Sequence, residues 1–140
     1  MLSEIKMPKE NNNKVYDLEE RTAVFGEEII DFAKTISKHV VTLPLINQLI
    51  RAGTAVGASY CEADCAETRK DFEHKLGICK KESKETKHWL RMVIKAEPDL
   101  KNNAMLLMKE ANELTLIFIA IVRKSKANIE TLKIRNYFFC

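Results

Sequence analysis

The sequence predicts an all-α protein, an up-down-up-down four-helix bundle. Only four glycines and three prolines interrupt 140 residues, so turns are few and helices are long. Apolar residues recur at spacings of three and four, which is the period of one helical face, and no segment shows the alternation of a strand. Four such helices joined by short links form a bundle with antiparallel neighbours.

The first predicted helix runs from about Asp17 to Val40 and follows residues 1–15, which we interpret as a flexible N-terminal arm. The acidic side chains of Glu19 and Glu20 lie near its start, where the helix dipole favours negative charge. Its apolar positions share one face: Leu18, Thr22, Phe25, Ile29, Phe32, Ile36 and Val40.

The second predicted helix begins near Pro44 and ends near Asp64. Proline suits the first helical position because its missing N–H has no partner to lose there. On a helical wheel, the core side carries Ile46, Leu49, Gly53, Val56, Gly57 and Tyr60.

The third predicted helix starts at Thr68, whose hydroxyl can cap it, and Pro98 stops it. Its heptad seam is Phe72, Leu76, Cys79, Ser83, Thr86, Leu90 and Val93. The fourth runs from about Lys101 to Ser125, with Ala104, Leu107, Ala111, Leu114, Phe118 and Ile121 at the same spacing. The bundle therefore spans residues 16–125, and residues 126–140 form a C-terminal tail, either a frayed extension of the helix or a docking segment.

The second helix lacks the charged outer face that a surface helix normally has. Between Ala52 and Cys61 it carries no charge at all, although 31% of the whole chain is charged. Each glycine in a helix costs about 1 kcal/mol relative to alanine, so two of them four residues apart indicate a close helix contact. This helix is either central in a monomer or packed on its outer side by another subunit. The residues we assign to subunit or helix packing are Arg51, Gly53, Thr54, Gly57, Ala58 and Glu62.

Basic residues follow one stripe of the third helix at steps of four, three, four and four. They are Lys80, Lys84, Lys87, Arg91 and Lys95. Such a stripe is usually a solvated face, but no acid interrupts this one. Because phosphate backbones bind through summed charge, repetition of the stripe in an assembly would favour contact with RNA or DNA.

Three blocks of the sequence together resemble the bacterial four-helix-bundle family, also called the ribosomal RNA intervening-sequence protein family. They are YDLEERTAVFGEEIIDFAK from Tyr16, INQLIRAGTAVGASYCEA from Ile46 and DFEHKLGICKKESKETKHWLR from Asp71. The resemblance covers about residues 15–125. It implies a bundle that assembles as a homopentameric barrel and a family whose biochemical role is unsettled. Some members are encoded inside insertions in large-subunit ribosomal RNA genes, and a distantly similar pentamer of diversity-generating retroelements binds nucleic acid through its basic outside.

The family pattern falls on specific positions of this chain. It marks Glu19, Arg21, Phe25, Arg51, Thr54, Gly57, Glu62, Phe72, Glu85, Trp89 and Leu90. Family members often have Asn where this chain has Ser59, whose hydroxyl makes fewer hydrogen bonds.

Chemistry-bearing residues are few and poorly spaced for a catalytic or metal site. Cys61, Cys65 and Cys79 lack the usual zinc spacing and are expected to be reduced, and the three histidines are scattered. Glu82 and Glu85 form a pair of acids one turn apart, with Arg51 and Glu62 as candidate neighbours. We interpret them as a polar cluster that fixes helix register, since no phosphate-binding loop or nucleophile motif accompanies them.

These observations predict a protein that is not an enzyme and binds no cofactor. The N-terminus lacks the apolar core of a signal peptide, and the longest apolar run, Leu116 to Val122, is too short to cross a bilayer, so a cytoplasmic location is expected. The predicted function is self-assembly, with RNA or DNA as a further partner. The alternative is an adaptor or structural ring that binds protein and no nucleic acid.

Overall fold

The computed structural model describes the backbone of residues 17–139 and the side chains of residues 17–128. It contains four α-helices: α1 (Leu18–Lys34), α2 (Thr42–Asp64), α3 (Arg69–Ala96) and α4 (Lys101–Phe139). The 3₁₀ turn Pro98–Leu100 joins α3 to α4. No strand occurs among residues 17–139, and the predicted all-α class is confirmed. The predicted N-terminal arm lies outside the described residues.

Cross-helix contacts show that each helix runs antiparallel to the next. On α2, Gly53 lies against Ile29 of α1, and Gly57, four residues later, lies against the earlier α1 residue Thr22. Glu73 and Lys87 on α3 bond Ser125 and Asn112 on α4 in the same reversed order. α1 packs against α2, α2 against α3 and α3 against α4. The bundle is closed by a smaller contact between α1 and α4.

The predicted apolar seams form the core. Phe25, Ile29, Leu49, Leu76, Leu90, Leu114 and Phe118 are fully buried. The hydroxyls inside the seams bond backbone carbonyls one turn earlier, as Ser83 does to Cys79 and Thr86 to Glu82. Among the described residues, no buried polar side-chain atom lacks a hydrogen bond.

The first helix is shorter than predicted. α1 ends at Lys34, so Ile36 is buried in the link to α2. Val40, predicted to belong to the apolar face, is 85% exposed. The link is held by Thr42, whose hydroxyl donates to the Ser37 carbonyl at 2.5 Å and accepts from the His39 N–H at 3.0 Å. These local bonds compete with continued helix.

The second helix begins at Thr42, so Pro44 is its third residue rather than its first. Proline is still tolerated there because the first turn of a helix has no internal acceptors for its N–H groups. The start of α3 is as predicted, since the Thr68 hydroxyl accepts from the Asp71 N–H at 3.1 Å.

The fourth helix continues past the predicted end near Ser125 to Phe139. No glycine or proline follows Pro98 in the sequence, so nothing in the chain interrupts the helix. Ser125 donates to Glu73 at 2.8 Å, close to the beginning of α3. Residues 126–139, predicted as a tail, therefore continue α4 for about 21 Å of helix, at 1.5 Å per residue.

Candidate functional site

The two glycines of α2 pack against α1 of the same chain. A Cβ added at Gly53 would lie 2.8 Å from two carbons of Ile29. A Cβ added at Gly57 would lie 3.3 Å from the backbone carbonyl of Thr22. The close helix contact indicated by the sequence therefore exists, and its partner is α1.

Outside this contact, α1 and α2 enclose a shallow groove of about 310 Å³. Its floor and walls are small or apolar, among them Ala23, Gly26 and Ile30 on α1 and Thr54 and Ala58 on α2. We call this surface the α1–α2 groove; its other lining residues are Glu19, Thr22, Glu27, Gly57 and Cys61. Thr54, Gly57 and Ala58 on the α2 side were predicted to serve subunit or helix packing, whereas Ala23, Gly26 and Ile30 on the α1 side were not predicted.

Two carboxylates on α1 border the groove. Glu19 and Glu27 are both exposed, and neither forms an ion pair within the described part of the chain. The groove is thus apolar at its centre and negatively charged along one edge.

Arg51 and Glu62, predicted to serve packing with Gly53 and Gly57, both reach across to α3. Lys75 donates to Glu62 at 2.9 Å, and this bond raises the pKa of Lys75. Arg51 pairs with Glu82 at 3.4 Å and also with Glu85. Glu62 is therefore not part of the cluster in which Glu82 and Glu85 lie.

The polar cluster of Arg51, Glu82 and Glu85 ties α2 to α3 at mid-height. Glu85 also accepts from the Trp89 indole N–H at 3.3 Å, so Trp89 is engaged within the bundle. Burial raises the pKa of Glu85, but the bonds from Trp89 and Arg51 outweigh it, and the pKa lies below its usual range. A carboxylate held in its charged form by an arginine is suited to a structural ion pair rather than to proton transfer.

The basic stripe lies on the surface of α3. Lys80, Lys84, Arg91 and Lys95 are exposed and Lys87 is half-buried. Lys87 donates to Asn112 of α4 at 3.0 Å, which places it at the seam between the two helices. The other four form no ion pair with the described residues. From Lys80 to Lys95 the stripe extends about 22 Å along the helix.

The thiols differ in exposure. Cys79 is fully buried, and burial raises its pKa to about 12. Cys61 and Cys65 are exposed. Within the described side chains, no group of three or more His, Cys, Asp or Glu is placed to hold a metal ion.

A second depression of about 440 Å³ lies at the end of the bundle, between the α2–α3 link and α4. It is lined by residues of both charges, including Asp64, Glu67, Arg69 and Lys124. A solvent-exposed surface that carries both positive and negative charges does not indicate a particular class of ligand. Across the described residues, no helix is long and apolar enough to cross a membrane.

Fold and surface together define a small antiparallel helical bundle with an apolar groove on one side and a basic stripe on another. Comparison with known proteins identifies the family of the chain. The family model described as 23S rRNA-intervening sequence protein matches residues 12–120, and the chain belongs to that family.

One solved structure shows the same fold in a relative. It is a protein of unknown function from the S23 ribosomal protein family of Bacteroides thetaiotaomicron. The chains are 27% identical, with a TM-score of 0.70, and the alignment covers 76% of this chain and 95% of the other. No curated protein matches the chain. The family resemblance deduced from the three sequence blocks is thus confirmed, and the relatives assign no activity.

Proposed function

We propose that this protein is a non-enzymatic, self-assembling helical bundle that binds RNA or DNA through the basic stripe of α3. The observation that carries the nucleic-acid part is the exposure of Lys80, Lys84, Arg91 and Lys95 along one helix, with no acidic partner among the described side chains. Cations that pair with nearby carboxylates would already be neutralised, whereas these retain their charge for an external anion.

Self-assembly is supported by the α1–α2 groove. Its small and apolar lining lies where a solvated helix normally carries charged side chains. The family resemblance suggests that the assembly is a homopentameric ring. A ring would present the stripe once per subunit, and binding to a phosphate backbone strengthens with each added contact.

The test of nucleic-acid binding is reversal of charge at Lys80, Lys84 and Arg91, three exposed residues of the stripe, each changed to Glu. The buried seam at Ser83, Thr86 and Leu90 is untouched, and surface substitutions usually shift stability by less than about 0.5 kcal/mol each. We therefore expect the variant to keep the wild-type melting temperature and mass but to lose binding to a generic RNA or duplex DNA, measured by fluorescence anisotropy. Wild-type affinity should fall steeply with salt, by a log–log slope of about 0.9 per phosphate contact.

A matched control keeps the charge at the same sites, with Lys80 and Lys84 changed to Arg and Arg91 to Lys. This variant should bind as the wild type does. If the wild type binds neither RNA nor DNA at low salt, the nucleic-acid proposal is wrong and the protein adaptor or structural ring takes its place. If the Glu variant dissociates into monomers, the stripe serves assembly instead.

A further inference from the structure

The α1–α2 groove needs an occupant that is apolar at its centre and positively charged at its edge. A second groove is unsuitable, because its lining holds two carboxylates and no cation, so two grooves packed together would place four negative charges in one interface. Like charges placed together in this way are destabilising. The interface is therefore expected to join two different surfaces of the chain.

One described surface has the required character, and it lies on the outside of α4. Lys101, Met105, Lys109, Leu116 and Arg123 follow one another at steps of four, four, seven and seven, so they share a helical face. We call this surface the α4 ridge. Met105 is 49% exposed and Leu116 is 57% exposed, values that leave large apolar area in water.

The charges of the α4 ridge are all positive. Lys101, Lys109 and Arg123 are exposed and form no ion pair with the described residues. Among the described side chains, the acids of the same helix are Glu110 and Glu113. They turn toward α1, where Arg21 binds them at 2.7 and 2.9 Å. The ridge is thus complementary to the groove. The ridge has apolar side chains between cations, and the groove has a floor of small residues beside carboxylates.

The spacing of the charges also agrees. Glu19 and Glu27 are eight residues apart on α1, and so are Lys101 and Lys109 on α4, which is about 12 Å in each case. Between the two carboxylates the groove is floored by Gly26 and Gly57. Between the two lysines the ridge presents Met105, whose flexible side chain adapts to irregular apolar surfaces.

The two surfaces lie on different sides of the bundle. The groove is formed by α1 and α2, whereas Asn112, one turn from Lys109 on α4, bonds Lys87 of α3. A single molecule cannot bring its own ridge to its own groove. Contacts between unlike surfaces pass from one copy to the next, and they close into rings when the rotation allows.

On this basis we infer that the α4 ridge of one copy docks in the α1–α2 groove of the next. The inference deepens the proposed self-assembly and depends on it. It assigns Glu19 and Glu27 to pairing with Lys101 and Lys109 of a neighbouring subunit, and Met105 to the groove floor.

The inference is tested by reversing the charges of each surface, separately and together. Glu19→Lys with Glu27→Lys, and Lys101→Glu with Lys109→Glu, should each lower the mass of the assembly toward that of the monomer in sedimentation velocity at 50 mM salt. The quadruple variant has complementary charges again and should recover the wild-type mass. An equimolar mixture of the two double variants should also reassemble, because each contributes one intact surface.

One control variant and three outcomes separate the possible failures. Glu20→Lys with Asp31→Lys reverses two exposed acids on α1 that do not line the groove and should leave the mass unchanged. If the wild type itself is a monomer, the proposed self-assembly is wrong. If the wild type is an oligomer and either double variant keeps its mass while folded by circular dichroism, self-assembly stands and the groove–ridge contact is wrong. Loss of assembly in both double variants without recovery in the quadruple variant would also overturn it.

Discussion

The glycines of this chain differ in what surrounds them. Gly53 and Gly57 lie against α1, where an added Cβ would meet Ile29 at 2.8 Å and the Thr22 backbone at 3.3 Å. Gly77 lies on α3 with no heavy atom within 4 Å of an added Cβ. The same kind of residue therefore has a packing role at Gly53 and Gly57 and none at Gly77.

This difference predicts opposite effects of substitution on the free energy of unfolding. Gly77→Ala should stabilise the protein by about 0.5–1 kcal/mol, because alanine favours helix over glycine. Gly57→Leu should destabilise it by about 1–3 kcal/mol, since the side chain has no room beside Thr22. Urea denaturation measures both, and Gly77→Leu is the size-matched control. Equal melting of wild type and Gly57→Leu would show that α1 and α2 do not pack closely there.

At the scale of the helices, the sequence predicted the buried seams well and the helix ends less well. The seam of α3 is a run of apolar and small residues at steps of four and three, and this periodicity alone identifies its buried face. The end of α1 depends instead on hydrogen bonds of Thr42 to Ser37 and His39, which no periodicity reveals. The pairing of Arg21 with Glu110, 89 residues away, required the tertiary structure.

The candidate sites also differ in how far the sequence alone predicts them. The basic stripe lies within one helix, so its spacing could be read from the sequence. The α1–α2 groove is made by two helices, and only the small-residue face of α2 was visible beforehand. Ala23 and Gly26 become part of a surface only when α1 packs against α2.

The connection between α2 and α3 through Glu85 predicts a dependence of stability on pH. The pKa of Glu85 in the folded protein lies below its ordinary value, so its charged form stabilises the fold. That contribution is complete above the ordinary carboxyl pKa of about 4.3 and is lost as the pH falls through the lower folded pKa. We expect Glu85→Gln to destabilise the protein at pH 7 and to have less effect at pH 3.

Urea denaturation at several pH values measures this difference. Glu73→Gln, on the same helix and bonded to Ser125 instead of an arginine, serves as the control. A destabilisation by Glu85→Gln that is the same at pH 3 and pH 7 would contradict the role of the charged form.

For the whole molecule, the charges and the apolar surface are separated by helix. Within the described part of the chain, α1 carries acids without an ion pair beside the groove, and α3 and α4 carry bases without an ion pair on the stripe and the ridge. A chain with a net charge of only +3 thus has surfaces of opposite sign on different helices. Such a distribution favours association between copies, and the basic stripe of α3 adds a surface for a phosphate backbone.

Self-assembly is the central claim, and the mass of the wild-type protein in solution tests it most directly. Multi-angle light scattering coupled to size exclusion at micromolar concentration should give a mass several times the 16.1 kDa of one chain. A pentamer corresponds to five times that value, about 80 kDa. A mass of 16.1 kDa across the whole concentration range would contradict the account, because the α1–α2 groove would then remain exposed to water.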